Sequence, residues 1–179
     1  MLSLDYKTLG LKIGIEVHRQ IETHKLFCAC PSELTDKPFD ALVKRTLHAV
    51  RSERGERDVV AEHEVKKGKY AVYEVMHGSC CSVETDEEPI HTLNQHALQA
   101  VLEVALLLKC TLVDAIQVMR KQVLDFSNTS GFQRTALAAL DGNIETAHGV
   151  VGIASICIEE DSARRIRSEP AYTVFRLDR

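Results

Sequence analysis

Apolar and polar residues alternate along Leu11–Thr23, close to the start of the chain. A repeat of two residues is typical of a β-strand that turns one face to the core. The pattern therefore predicts a strand over this segment, with aliphatic side chains on one face. The opposite face would carry Glu16, His18 and Gln20.

The clearest helical pattern lies in Thr92–Lys109, where apolar residues recur at the i, i+3 and i+4 spacing of an amphipathic helix. Thr92 or Asn94 would cap its first turn. We therefore predict one long helix here, with its apolar side covering a sheet.

Shorter patterns predict the remaining elements. In chain order they are a short helix at Asp40–Val50, a hairpin of Val59–Val65 with Tyr70–Met76, a strand at Val113–Leu124, a hairpin of Ile144–Ala147 with Val150–Ile158, and a last strand at Ala171–Asp178. Polar loops and turns join them at Lys25–Pro38, Ser52–Arg57, Gly78–Pro89 and Ser127–Gly131. Strands outnumber helices, so we predict a single α+β domain over residues 1–179 with a mostly antiparallel sheet.

The composition is that of a water-soluble domain, with 45% apolar and 27% charged residues. A net charge of −4 argues against a stand-alone nucleic-acid binder that works by bulk positive charge. No apolar run reaches the length of a membrane span, and no signal peptide is evident, so we expect a cytoplasmic location. The six cysteines should then stay reduced. Cys110 and Cys157 lie in apolar segments, where we expect them to be buried.

Three consecutive acids, Glu159, Glu160 and Asp161, end one predicted strand. Alternation puts Glu159 and Asp161 on one face and Glu160 on the other. Together with Glu16 and His18, they offer oxygen and imidazole ligands that suit a hard cation such as Mg²⁺. The alternative is a solvated rim of acids, and periodicity does not show whether the two strands are neighbours.

Two cysteine pairs lie in the predicted loops, Cys28-x-Cys30 and, about 50 residues later, Cys80-Cys81. Zinc needs four tetrahedral ligands, which two chain segments can supply. A fourth ligand would come from His24 or His77. The alternative is a set of free thiols.

A basic pair, Arg120-Lys121, precedes the polar loop Ser127–Gly131. Lysine, arginine and backbone N–H groups in such a loop can hold a phosphate. The segment is not a Walker A loop, because no G-x-x-x-x-G-K-[ST] pattern occurs. The alternative is a capped turn beside two solvated bases.

Seven stretches in family order carry a resemblance that spans nearly the whole chain: Leu9–His18, Lys25–Pro31, Asp86–Pro89, Met119–Lys121, Ser127–Ala136, Ile158–Arg165 and Val174–Arg179. They resemble the GatB/GatE family of glutamyl-tRNA(Gln) amidotransferases, the archaeal E-type members most and the bacterial B-type members more distantly. The most specific are SNTSGFQRTA and the EED-x-A-R-R run.

The resemblance implies ATP-dependent conversion of Glu-tRNA(Gln) into Gln-tRNA(Gln). ATP would phosphorylate the glutamyl γ-carboxylate, and ammonia from a partner would then displace the phosphate. In archaea that partner would be a D-type, asparaginase-like protein. The resemblance also implies a cradle-type catalytic domain with a Mg²⁺ site, which maps onto Glu16, His18 and Glu159, with Glu160 beside them. Arg120 and Lys121, with Ser130 and Gln133, would line the nucleotide pocket or the ammonia path.

The same resemblance bears on the cysteines, because some family members hold zinc in a knuckle. It favours Cys28, Cys30 and Cys81 as ligands. A further cysteine of the zinc-binding relatives has no counterpart, since Ser82, Val83 and Glu84 follow Cys81.

In the family, the Arg-Leu-Asp-Arg phrase leads into a strand with another metal-ligand glutamate, and then into helical and tRNA-binding domains. We therefore expect this chain to be the N-terminal part of the cradle domain, incomplete at its C-terminus and inactive alone. The alternative is a non-catalytic truncated relative that acts as a partner- or RNA-binding module.

Overall fold

The computed structural model describes residues 5–6, 8–131, 133–161 and 163–178. Phe132, Ser162 and Arg179, which belong to the motifs of the resemblance, lie outside them. The fold is α+β, with helices α1 (Val59–Lys66) and α2 (Gln95–Leu107). The strands of the described ranges are β1 (Ala41–Thr46), β2 (Tyr70–Val75), β3 (Thr111–Leu112), β4 (Val118–Arg120), β5 (Arg134–Thr146), β6 (Gly149–Glu160), β7 (Arg164–Ser168) and β8 (Tyr172–Leu177).

The first sheet has the strand order β1-β2-β8-β7. Its central pair, β2 and β8, is parallel, whereas β1 and β7 pair antiparallel at the edges. One face packs into a core that includes Tyr73, Phe175 and Leu177, all almost fully buried. The strand predicted at Ala171–Asp178 is therefore confirmed as β8.

The second sheet is built on the long antiparallel hairpin of β5 and β6. Gly149 starts β6 with φ +120°, a backbone conformation that side-chain-bearing residues rarely adopt, which suits the tight turn at Ala147-His148. β3 and β4 pair with β5 on its other side. The hairpin predicted around His148-Gly149 is confirmed.

Helix α2 lies against this second sheet. Asn94 caps it by accepting hydrogen bonds from the His96 and Ala97 N–H groups through Oδ1. Ala97 and Val101 then pack in one cluster with Ile158 of β6. The predicted helix is confirmed, but it is not the only one, and the strands form two sheets rather than one.

The segment predicted as the first strand is not a strand. Residues 11–20 have no regular secondary structure and are exposed throughout, with Ile15 86% accessible. A strand needs a neighbour to take up its N–H and C=O groups. Alternation of apolar and polar residues indicates the two faces of a segment, but it does not indicate whether a neighbouring strand is present. No described strand pairs with residues 11–20.

Two further predictions were wrong in type. Asp40–Val50 contains strand β1 rather than a helix, because its register with β2 from Ala41↔Val75 to Thr46↔Tyr70 gives each residue a ladder partner. Val59–Val65 is helix α1 rather than a strand, because Asp58 caps it by accepting from the Ala61 N–H. Consequently the first predicted hairpin does not exist, and only its second half survives as β2.

Other predictions hold in part. The strand predicted at Val113–Leu124 shrinks to β4, while the four predicted loop regions lack helices and strands. The turn at Ser52–Arg57 is closed by an isolated bridge between Arg51 and Arg57. No helix within the described ranges is long and apolar enough to cross a membrane.

Candidate functional site

A chain of hydrogen bonds runs from a lysine to the carboxylate at the end of β6. Lys121 Nζ donates to Gln133 Oε1 at 2.7 Å, and Gln133 Nε2 donates to Glu159 Oε2 at 3.1 Å. Thr135, the register partner of Glu159, donates its hydroxyl to Glu159 Oε1 at 3.2 Å. Three residues predicted from sequence therefore form one polar network, which fixes the orientation of the Glu159 carboxylate.

Gln133 adopts an unusual backbone conformation in this network. Gln133 has φ 54°, in the left-handed region that side-chain-bearing residues avoid. Such conformations cost free energy and cluster at functional sites. The side-chain amide reaches both Lys121 and Glu159 from this position.

Glu16 and His18 lie next to each other, with 3.3 Å between His18 Nε2 and Glu16 Oε1. Their side chains are 78% and 67% exposed. Partial burial raises the pKa of Cys157 on β6, and the negative charges of Glu159 and Glu16 raise that pKa further. Glu16 and Glu159 therefore both lie close enough to Cys157 for their charges to raise its pKa.

Cys157 itself is exposed, contrary to expectation, because β6 is an edge strand of the second sheet and turns this side chain outward.

Glu160 has a different environment from Glu159, as alternation along β6 predicts. Its Oε1 accepts from Arg134 Nη1 at 2.9 Å, and its Oε2 accepts from the Leu26 N–H at 2.7 Å. Arg134 is also buried and donates to the Val83 carbonyl. Glu160 Oε2 thus ties β6 to the loop at Leu26, and Oε1 holds Arg134 of β5, which itself reaches the loop at Val83. This is a structural use of the carboxylate.

Arg120 and Ser130 meet at a residue that the sequence did not single out as a site residue, Asp86. Arg120 Nη2 lies 2.5 Å from Asp86 Oδ1, and the Ser130 hydroxyl donates to Oδ2 at 2.5 Å. Tyr73 of β2 donates to the same Oδ2 at 3.4 Å, while the Ser130 N–H donates to the Tyr73 hydroxyl. Asp86 therefore joins the first sheet, the second sheet and the polar loop.

Burial raises the pKa of Tyr73, and the negative charge of Asp86 raises it further, so Tyr73 remains a hydrogen-bond donor at neutral pH. Gly131 stands directly over the ion pair. A Cβ there would come within 2.7 Å of Arg120 Nη2 and 2.9 Å of Asp86 Oδ1. The glycine of the SNTSG loop is thus a steric requirement of the Arg120–Asp86 contact.

A pocket of about 290 Å³ opens beside this ion pair. Its walls are formed by Asp86, Glu88, Pro89, Ile90, Val118, Arg120 and Arg134. Pockets that bury a drug-sized ligand run from about 300 to 1,000 Å³. This one lies just below that range, and it presents two guanidinium groups, both already paired with carboxylates, together with the acids Asp86 and Glu88.

The three cysteines predicted as zinc ligands converge. The Sγ atoms of Cys28, Cys30 and Cys81 all lie within 4.8 Å of one another. Tetrahedral zinc with Zn–S bonds of about 2.3 Å would hold its sulfurs about 3.8 Å apart, so a small contraction suffices. Neither predicted fourth ligand, His24 or His77, joins this group among the described residues. His24 Nδ1 contacts the Lys25 and Cys28 carbonyl oxygens, and an adjoining pocket of about 310 Å³ instead presents Cys80 and His91.

A buried ion pair stands behind this cysteine cluster. Lys25 Nζ lies 2.8 Å from Glu84 Oε1, and the two side chains are 2% and 0% exposed. The Cys28 thiol donates to the same oxygen at 3.6 Å, whereas Glu84 Oε2 accepts no hydrogen bond from any described residue. A buried carboxylate oxygen without a donor, next to three thiols, fits a nearby cation.

Cys28 and Cys30 carry their protons at neutral pH when no cation is present. Burial raises the pKa of Cys30 to about 11, and burial together with the Glu84 charge raises that of Cys28 further. A metal ion bound here must displace these protons, so its affinity depends on pH.

This fold and this arrangement of acids, bases and thiols can be compared with known proteins. The family described as the GatB/GatE catalytic domain matches residues 11–179. The chain therefore belongs to the GatB/GatE catalytic domain family, and the resemblance found in the sequence is confirmed.

Similar curated proteins are named as the E-type subunit of glutamyl-tRNA(Gln) amidotransferase. Those of Methanobrevibacter smithii and Methanothermobacter thermautotrophicus are 48% and 49% identical over 98% of this chain. That of Methanocaldococcus jannaschii is 48% identical over 99% of it. The chain spans only 28% to 29% of the length of these relatives.

Proposed function

We propose that this chain supplies the metal- and phosphate-handling part of an ATP-dependent conversion of Glu-tRNA(Gln) to Gln-tRNA(Gln). The names of its relatives point to this reaction. The observation that carries the proposal is the hydrogen-bonded chain from Lys121 through Gln133 to Glu159, which connects a cation suited to phosphate with a carboxylate suited to Mg²⁺. Residues 1–179 would be the N-terminal portion of the cradle-type catalytic domain.

Each predicted residue has a role in this proposal. Glu16, His18 and Glu159 would hold Mg²⁺, which neutralises phosphate charge when bound. Gln133 orients Glu159 through its side-chain amide nitrogen and holds Lys121 at the edge of the site through its side-chain amide oxygen. Glu160 is better suited to fixing Arg134 than to binding metal, because it is buried and its carboxylate is already paired with the Arg134 guanidinium.

Phosphate binding falls to the neighbouring basic groups. Arg120 and Arg134 line the small pocket. Ser130 and Arg120 both donate hydrogen bonds to Asp86, so Ser130 lies beside this pocket. A γ-phosphate placed there would be stabilised by the guanidinium groups while the rest of the nucleotide extends outside.

The chemistry balances as two displacements. A γ-carboxylate oxygen of the glutamyl group attacks the γ-phosphorus of ATP, which forms an acyl phosphate and releases ADP. Ammonia then attacks the acyl carbon, phosphate leaves, and the nitrogen loses a proton to give the amide. A D-type asparaginase-like partner would supply the ammonia, and the cytoplasm would be the setting.

Binding of Mn²⁺ in place of Mg²⁺ tests the site directly. Paramagnetic Mn²⁺ with ATP should broaden the ring-proton NMR signals of His18. We expect Glu159→Gln to weaken Mn²⁺ binding at least about tenfold, which is the scale of effects even for residues behind a metal ligand. Glu145→Gln, which removes an exposed carboxylate from β5, is the matched control. Equal binding by both variants would remove Glu159 from the site.

Zinc at Cys28, Cys30 and Cys81 is a second proposal, favoured by the convergence of the three sulfurs. Its role would be structural, since it would link two loops that flank the site. Elemental analysis of the purified chain should find about one zinc per molecule, and Cys30→Ser should lose it. Unchanged zinc content in that variant would sink the proposal.

A further inference from the structure

A row of four side chains crosses the outer face of the first sheet. Tyr70 of β2 and Tyr172 of β8 are register partners, and their rings stack with centroids 5.6 Å apart at an angle of 23°. Lys44 Nζ of β1 lies 4.1 Å from the centre of the Tyr70 ring. Arg167 Cζ of β7 lies 5.4 Å from the centre of the Tyr172 ring. One residue from each strand thus contributes to a cation–aromatic–aromatic–cation row.

The core of the first sheet does not require these two tyrosines. Their strand neighbours Ala71 and Thr173 are completely buried on the opposite face. Tyr70 and Tyr172 are half-buried and belong to no core cluster of the described residues. The chain has four tyrosines and no tryptophan, so two of its four largest aromatic side chains lie half-buried on the sheet face opposite the core.

Basic residues surround the row, although the whole chain is acidic. Lys66, Lys67 and Lys69 lead directly into Tyr70, and Lys69 Nζ contacts the Ser168 hydroxyl beside Arg167. Lys67 is paired with Glu64. One acid, Glu169, lies in the turn between β7 and β8. The local excess of cations is therefore complementary to a polyanion.

We propose that this face binds single-stranded RNA. Aromatic rings outside the core, flanked by cations on a four-stranded sheet, can stack unpaired bases and contact phosphates at the same time. A base would take the place of Arg167 on the outer face of Tyr172, and the guanidinium would move to a phosphate. The exchange is favourable because a base stacks on an aromatic ring more strongly than an exposed cation does.

Duplex RNA does not meet these requirements, because its bases are already paired and stacked. An acidic peptide could meet the cations but would leave the tyrosine rings unused. The row is a surface distinct from the Glu159 network, and the inference does not depend on the amidation proposed above.

The test is a titration of the full chain with a labelled single-stranded RNA of about 10 nucleotides, within the span that such surfaces cover. Fluorescence anisotropy measures affinity at several salt concentrations. Intrinsic tyrosine fluorescence, free of tryptophan, should be quenched as bases stack. We expect Tyr172→Leu and Tyr70→Leu to weaken binding about 5- to 100-fold, while Tyr172→Phe and Tyr70→Phe keep it.

The cations have their own variants. Arg167→Gln and Lys44→Gln are exposed changes that leave the sheet intact, and each should make the salt dependence of binding shallower. Lys109→Gln, which removes the same charge beside the second sheet, should not. Circular dichroism checks that the leucine variants stay folded.

Three outcomes would overturn the proposal. They are no binding at low salt, equal binding of duplex RNA or of a glutamate-rich peptide, and leucine variants that bind RNA as well as the parent chain does. None of these measurements involves ATP, Mg²⁺ or amide formation. Failure here therefore leaves the proposed function standing, and the reverse also holds.

Discussion

The cysteine cluster and the Glu16–His18 pair are both candidate metal-binding groups, but folding builds them to very different degrees. The three thiols lie within 4.8 Å of one another, with a fully buried lysine–glutamate pair behind them. Glu16 and His18 lie on an exposed irregular segment and contact mainly each other's side chains. The first group is partly buried, with Cys28 in the interior, and the second is exposed on the surface.

This contrast separates stability from affinity. Charged and polar groups in the interior are desolvated when the chain folds, so a change in one of them acts on the free energy of unfolding. Exposed groups keep their water until a ligand arrives, so a change there acts on ligand binding. Variants in the two regions should therefore affect different measurements.

The largest effect should come from Lys25→Met. It leaves Glu84 buried without a counter-charge, and we expect a loss of about 3–5 kcal/mol in the free energy of unfolding, measured with urea. Lys109→Met, which breaks the exposed pair with Glu145, is the control and should cost no more than about 1 kcal/mol. Similar losses in the two variants would mean that the buried Lys25–Glu84 pair contributes no more to stability than the exposed Lys109–Glu145 pair does.

Zinc should have the next largest effect. At free zinc 1,000-fold above its dissociation constant, the gain in unfolding free energy is about 4 kcal/mol, and a chelator should reverse it. Cys81→Ser should abolish this gain, whereas Cys110→Ser, which changes a cysteine outside the cluster, should retain it. A gain that survives Cys81→Ser would place the zinc elsewhere.

Asp86→Asn tests a residue that joins the two sheets. It removes the charge opposite Arg120 and weakens the contact with Ser130, so we expect a cost of about 1–3 kcal/mol in urea unfolding. Asp36→Asn is the control, because Asp36 is fully exposed and 3.9 Å from Arg164. Equal losses of unfolding free energy in both variants would mean that Asp86 contributes no more to stability than an exposed acid does.

The cysteine cluster also predicts a pH dependence for the metal-free protein. Burial raises the pKa of Cys30 from 9.0 to about 11, so the folded chain holds this proton more tightly than the unfolded chain does. The associated stability is complete below pH 9 and is lost as the pH rises toward about 11. Urea unfolding across this range should show the fall, and Cys30→Ser should make it shallower, with Cys28 responsible for part of what remains because its pKa is raised further.

The smallest effect on stability belongs to the exposed pair. Glu16→Gln and His18→Ala should change the free energy of unfolding by no more than about 0.5 kcal/mol. The same variants should clearly weaken Mn²⁺ binding. A large loss of stability would show that residues 11–20 pack against something in solution, and the contrast between the regions would then fail.

Local signals explain which elements could be predicted. His148-Gly149 marks a turn, and Asn94 caps a helix, so the second hairpin and α2 were found. Val59–Val65 and Asp40–Val50 are short segments of mixed apolar and polar residues, for which periodicity does not distinguish helix from strand. Contacts outside each segment determine its structure. Pairing with β2 makes Ala41–Thr46 a strand, and the Asp58 cap favours the helix at Val59–Lys66.

The site shows the same division. Lys121, Gln133 and Glu159 were named from their motifs, and the structure joins them. Asp86 had no assigned role, because its contact with Arg120 links residues 34 positions apart and no local pattern encodes that distance. The pair of Lys25 and Glu84 was missed for a related reason, since a lysine in a polar loop is expected to be solvated.

The parallel pairing of β2 with β8 has a consequence for how the chain folds. Glu74 and Arg176, which bond across this pair, are 102 residues apart in sequence, whereas the β5–β6 hairpin closes through a tight turn. Closing the longer loop costs more entropy, so the hairpin with α2 should form early and the first sheet late. The stacking of Tyr70 on Tyr172 would then be among the last contacts made, and tyrosine fluorescence in a stopped-flow refolding trace would time the completion of the domain.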